Sequence, residues 1–196
     1  FYNFSDLGNN KFGFGVADVS GKGIKSSLLM SKASSLYRCL SKTIFSSSSL
    51  LKILNDEICE TTTRGMFVTM IVGVYDKNKN ELLLSNAGHE PPLIFSSDGN
   101  FKTVDEAGPP LGIAPNFKFT EQTISFKESS MYIFTDGITE MKNTNGDMLG
   151  QEGFQDYIKK YQSTPNNKRL QKIIEDLISS GRIQKDDLTI VTVDGK

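Results

Sequence analysis

The chain has 196 residues, and its 22 Lys and Arg against 23 Asp and Glu leave a formal net charge of −1. That balance supplies no electrostatic attraction for nucleic acid or an anionic membrane, and no apolar run reaches the roughly 20 residues of a membrane span. Its length fits one domain over residues 1–196, and 37% hydrophobic with 23% charged residues is ordinary for a soluble globular fold.

Phe1-Tyr-Asn-Phe4 is an apolar, strand-like opening without leader or methionine, and reads as a cut through a longer protein. Phe12 to Ala17 alternates with glycine and reads as a strand leading into a loop at Asp18. From Ile24 to about Ser41, Ile24, Leu28, Leu29, Ala33, Leu36, Tyr37 and Leu40 recur at helical spacing. The serine tract Ser46-Ser-Ser-Ser49 ends that helix and offers N-cap oxygens to a second, carrying Leu50, Leu51, Ile53, Leu54 and Ile58. Met66 to Tyr75 and Glu81 to Ala87 make a hairpin around the polar turn Asp76-Lys-Asn-Lys-Asn80. Pro91 to Phe95, Phe117 to Ile124 and Met131 to Thr135 add strands. Helices follow near Gln151 to Tyr161 and Asn167 to Ser180, with Gly181 as the C′ residue of the latter. Leu188 to Val193 closes the fold as a strand. Helices in pairs and strands in hairpins, with no βαβ alternation, give an α+β class with antiparallel sheets covered by helix pairs. Cys39 and Cys59 lack CxxC spacing and read as reduced thiols, which points to the cytoplasm. A single histidine excludes a His-rich zinc site.

Three acidic positions lie where strands run into turns: Asp18, Asp136 and the pair Asp186-Asp187. An ionised carboxylate at the edge of an apolar strand is costly without a counter-charge. Convergence of three would make a hard, oxygen-lined site suited to Mg²⁺ or Mn²⁺ and to metal-assisted hydrolysis. Each has a plainer alternative. In Asp18-Val-Ser-Gly-Lys-Gly23 the acid also suits a helix-capping turn, and the loop lacks the upstream glycine of a phosphate-binding P-loop. Asp136-Gly137 after an apolar strand is more often a simple turn, and acidic pairs before a strand are common. His89, between Gly88 and Glu90-Pro-Pro92, suits a structural ring bonded to backbone. Gly108-Pro-Pro-Leu-Gly112 reads as a rigid turn.

The motifs taken in order are Asp18-Val-Ser-Gly-Lys-Gly23, Met66-Phe-Val-Thr-Met70, Asn86-Ala-Gly-His-Glu-Pro-Pro92, Gly108-Pro-Pro-Leu-Gly112, Thr135-Asp-Gly-Ile-Thr-Glu140 and Asp186-Asp-Leu-Thr189. Together, from about Phe1 to Val193, they closely resemble the SpoIIE/RsbU-like branch of the PPM metal-dependent serine/threonine phosphatases. The resemblance implies a central β-sandwich of two antiparallel sheets flanked by helix pairs, with two Mn²⁺ or Mg²⁺ ions. It implies that Asp18 bridges both ions beside the Val19 carbonyl, and that Asp136 and Asp186 hold the second ion with Asp187 adjacent. A metal-activated water would then hydrolyse phosphoserine or phosphothreonine on a signalling protein of the anti-sigma-factor-antagonist type. It further implies an upstream sensor or receiver domain, and admits a homodimer. The family's Gly-Gly-Asp would precede Phe1, and Asn3 stands where many members carry aspartate. These departures keep open a second reading, a catalytically weak phosphatase-fold module that binds partners.

Overall fold

The computed structural model describes residues 1–61 and 65–195. They gather into two compact units, one of Phe1–Pro91 and Asp105–Lys127 with Gly195, the other of Pro92–Val104 and Glu128–Asp194. Among the described residues, no helix is long and apolar enough to cross a membrane.

The first unit is built on a five-stranded antiparallel sheet in the order β1 (Tyr2–Gly8), β2 (Lys11–Val19), β3 (Val68–Asp76), β4 (Glu81–Ala87), β7 (Gln122–Ser125). Helices α1 (Ile24–Leu40) and α2 (Ser47–Thr61) supply its apolar cover. Along α1, Leu29, Ala33 and Tyr37 are buried at intervals of one turn, and α2 buries Leu50, Leu51, Leu54 and Ile58. They meet Met70, Val72, Ala87 and Leu111 in one core, each large side chain contributing about 1.5–3 kcal/mol of apolar burial. Gly15 makes this packing feasible. A Cβ there would lie 2.7 Å from the Tyr37 ring, so only hydrogen leaves room for the aromatic side chain against β2. The serine tract does cap α2: Ser46 Oγ accepts from the Ser49 amide at 3.3 Å. The Glu121 carboxylate adds to this cap, accepting from Ser46 Oγ, Ser47 Oγ and the Ser48 amide, where negative charge meets the helix dipole.

The second unit holds a four-stranded antiparallel sheet in the order β6 (Phe101–Thr103), β5 (Leu93–Ser96), β8 (Ser129–Phe134), β9 (Ile190–Asp194). Helices α4 (Gly150–Lys160) and α5 (Asn166–Ser179) bury Phe154, Ile158, Ile173 and Leu177 with Leu93, Tyr132 and Phe134. Arg169 pins α5 to the sheet, donating to Tyr132 Oη at 3.0 Å and pairing with Asp194 at 3.8 Å. Gly181 has φ +74°, the left-handed value expected of a C′ glycine.

The α+β class with two antiparallel sheets and helix pairs is therefore the observed architecture. Some element boundaries differ from the sequence reading. The strand predicted from Phe117 begins only at Gln122, because Phe117 and Phe119 instead turn into the core against Gly108. The strand β6 is too short for a periodic signal. A one-turn helix, α3 (Asp136–Thr139), replaces the plain turn expected at Asp136.

Candidate metal-binding carboxylates

Residues Gly13 to Ala17 of β2 are buried, and at Asp18 the strand emerges into solvent. Asp18 pairs with Thr69 of β3, whose hydroxyl donates to the Asp18 carbonyl at 3.4 Å. Its own Oδ1 accepts from the Val19 amide at 2.9 Å. The loop beyond is tied down through Ser20, which exchanges bonds with Phe67: its amide donates to the Phe67 carbonyl at 3.0 Å, and its Oγ accepts from the Phe67 amide at 2.9 Å. Ser26 Oγ, in the first turn of α1, donates to the Ser20 carbonyl at 3.1 Å. Gly23 at φ +91° then begins the helix without a side-chain cap. Asp18 is thus an exposed acid on a fixed backbone, with the Val19 carbonyl next to it.

In the second unit, Asp136 heads α3 directly after β8, and Asp186 and Asp187 lie in the loop entering β9. All three are exposed. The two segments are held against each other: Thr135 Oγ1 donates to the Asp187 carbonyl at 3.2 Å, and the same oxygen accepts from the Thr189 amide at 3.2 Å. Gly137 allows the approach, since a Cβ there would stand 2.3 Å from the Asp187 carbonyl oxygen. Asp186 Oδ1 accepts from the Asp187 amide at 2.9 Å. Upstream, Ile183 exchanges two backbone bonds with Lys142, and Arg182 donates to the Met141 carbonyl at 3.4 Å, so the acidic loop is braced on both sides. The structure holds the segments that carry Asp136 and Asp186-Asp187 against each other within this unit, while Asp18 belongs to the first unit.

Among the described residues, no three His, Cys, Asp or Glu side chains stand as a ready-made metal cage. The donors present are nevertheless hard oxygens on fixed, solvent-facing backbone. That suits Mg²⁺ or Mn²⁺, which keep several waters and are commonly bound through one or two carboxylates rather than a full protein shell.

His89 lies outside this chemistry. It is buried, its Nδ1 stands 3.2 Å from the Glu90 carbonyl, and Asn86 grips its backbone amide at 2.8 Å and carbonyl at 2.9 Å. That is the structural placement expected for it. The Gly108-Pro-Pro turn likewise packs Pro110 onto Gly88 and joins Leu111 to Val68 by two backbone bonds. Two residues escaped the sequence reading. Thr135 was visible only as the start of Thr-Asp-Gly, with nothing to distinguish its hydroxyl from an ordinary strand threonine. Asn55, buried in α2, accepts from the Gly112 amide at 3.1 Å and donates to the Ala114 carbonyl at 2.8 Å.

Two antiparallel sheets with these helix pairs define the fold class of PP2C-type phosphatase domains. The phosphatase domain of SpoIIE from Bacillus subtilis superposes with a TM-score of 0.80 over 98% of this chain and 57% of that one, at 19% identity. The structure of RsbX in complex with magnesium gives 0.71 over 97% of this chain and 85% of that one, also at 19% identity. Residues 8–196 match the family described as Stage II sporulation protein E (SpoIIE), and the chain belongs to that family. Among its relatives, the phosphoserine phosphatase RsbU of Bacillus subtilis (strain 168) is 29% identical over 181 residues, which cover 91% of this chain and 54% of RsbU. The chain therefore spans about half the length of that relative.

Proposed function

We propose that the 196 residues serve as one phosphatase domain that hydrolyses phosphoserine or phosphothreonine on a signalling protein of the anti-sigma-factor-antagonist type, in the cytoplasm. In this reading the candidate ligands for Mn²⁺ or Mg²⁺ are Asp18 and the Val19 carbonyl in the first unit, and Asp136 and Asp186, with Asp187 adjacent, in the second. The observation that carries it is the pair of clasped, exposed acidic segments at Asp136 and Asp186-Asp187, in a chain of the SpoIIE family. Bound divalent ions supply Lewis-acid neutralisation of the phosphoryl oxygens and lower the pKa of an attacking water.

The chain's own residues do the rest. The four acidic residues provide negative charge and oxygen donors, each on a backbone segment tied down within its own unit. Their solvent exposure leaves positions open to water and to a phosphoester. The only histidine is buried and gripped by Asn86, which argues against a histidine nucleophile and in favour of direct attack by water. The alternative, a weakly catalytic module that binds partners, draws on the lack of a three-residue metal cage among the described residues. Phosphate release from a phosphoserine peptide separates the two readings. Turnover with Mn²⁺ or Mg²⁺ that EDTA abolishes is expected of the phosphatase. No turnover by the full-length protein with either metal would refute it.

A further inference from the structure

The β8–β9 ladder ends in an irregular way. Opposed residues of a hydrogen-bonded antiparallel pair exchange two backbone bonds. Thr135 and Thr189 make the first, from the Thr135 amide to the Thr189 carbonyl at 3.2 Å. The second is replaced: the Thr189 amide donates to Thr135 Oγ1 rather than to the Thr135 carbonyl. That carbonyl accepts instead from the Ile138 amide at 3.0 Å, which starts α3 immediately after the strand. The hydroxyl proton is directed to the Asp187 carbonyl. Thr135 is buried, and its hydroxyl accepts one bond and donates one.

We infer that Thr135 is the positioning residue for the metal-holding carboxylates of this unit. Its hydroxyl substitutes for its own carbonyl in the ladder, so the strand can stop and present Asp136 at the head of α3. The same hydroxyl fixes the Asp186-Asp187 loop through the Asp187 carbonyl, and Gly137 lets that carbonyl come close. Thr135 touches neither ion nor substrate; it sets the separation of the groups that do. The inference rests on the reading that Asp136 and Asp186 hold a divalent ion.

Calorimetric titration of the full-length protein with Mn²⁺ tests it, using Thr135→Val, which keeps the shape and removes the hydroxyl, and Thr135→Ser, which restores it. Loss of a group that orients metal ligands weakens affinity by about 10–100-fold, so Thr135→Val is expected to fall in that range, with Thr135→Ser within about threefold of the unaltered protein. Thr135→Val binding as tightly as the unaltered protein would overturn the inference. So would Thr135→Ser binding as weakly as Thr135→Val, since the hydroxyl would then not suffice to hold the carboxylates in place. Absence of Mn²⁺ binding by the unaltered protein would instead remove the functional reading on which both stand. If Thr135→Val does not fold, amide exchange of the unaltered protein decides: Mg²⁺ should slow exchange across residues 187–190, and equal rates with and without Mg²⁺ would overturn the inference.

Discussion

Asp18 illustrates how little a candidate ligand need contribute to the fold that carries it. Its side chain is exposed, and the bond it accepts from the Val19 amide can be accepted equally by an asparagine oxygen. Asp18→Asn should therefore leave thermal stability within about 0.5 kcal/mol of the unaltered protein. In the proposed function metal-dependent turnover should fall on the order of 100-fold or more, because the lost charge would belong to a ligand and not to a supporting partner. Circular dichroism melting and phosphate release on the same preparation check both halves. A folded Asp18→Asn protein with near-normal turnover would remove Asp18 from the site. At this scale the sequence was informative about the acids themselves, since carboxylates at strand ends stand out against apolar neighbours. It was silent on Thr135, because its role comes from a backbone carbonyl diverted to α3, and no side-chain pattern records that diversion.

Among the elements, the join between α3 and the loop entering β9 is the most tightly specified. A methyl group at position 137 would meet the Asp187 carbonyl oxygen at 2.3 Å, and neither group is the free end of a flexible chain. Gly137→Ala should destabilise by about 1–3 kcal/mol, the usual cost of overpacking, visible as a lowered thermal midpoint. An unchanged midpoint would mean the two segments are not held together.

A second element-scale expectation concerns α2. Asp56 bonds Lys52 at 2.8 Å and accepts from the Asn116 amide at 2.8 Å. The Lys52 bond first, then the Asn116 amide, hold its carboxyl below its ordinary value. A carboxylate whose pKa is depressed by folding adds stability above its unfolded pKa of about 3.9, and that stability is lost as pH falls through the folded value. Urea midpoints of the unaltered protein and Asp56→Asn should differ at pH 7 and converge toward pH 3. A gap of equal size at both pH values would contradict this.

The long helices and the β3–β4 hairpin were legible because their apolar periodicity runs for several turns or strand repeats. Segment 117–121 was not, since its aromatic residues satisfy burial by entering the core from irregular backbone.

For the molecule as a whole, the chain order conceals a discontinuity. Residues 92–104 leave the first unit for the second, 105–127 return to the first, and 128–194 build the rest of the second. Local signals cannot show this, because β7 joins β4 only after the Gly108-Pro-Pro-Leu turn has carried the chain back to Val68. The α+β class survived that blindness, since it depends on which elements exist and not on the route between them. The motif series was legible for the same reason. Its six pieces keep their order along the chain, whichever unit each occupies.

In the proposed function, acidic residues of this chain sustain metal-dependent hydrolysis of a phosphoserine substrate. The most direct test of that role is the Mn²⁺ dependence of phosphate release, measured side by side for the full-length protein and Asp136→Asn. The unaltered protein should show saturable activation by Mn²⁺ that EDTA reverses, while Asp136→Asn stays folded and inactive at every Mn²⁺ concentration. Equal turnover of the two proteins, or turnover by the unaltered protein that survives EDTA, would contradict it.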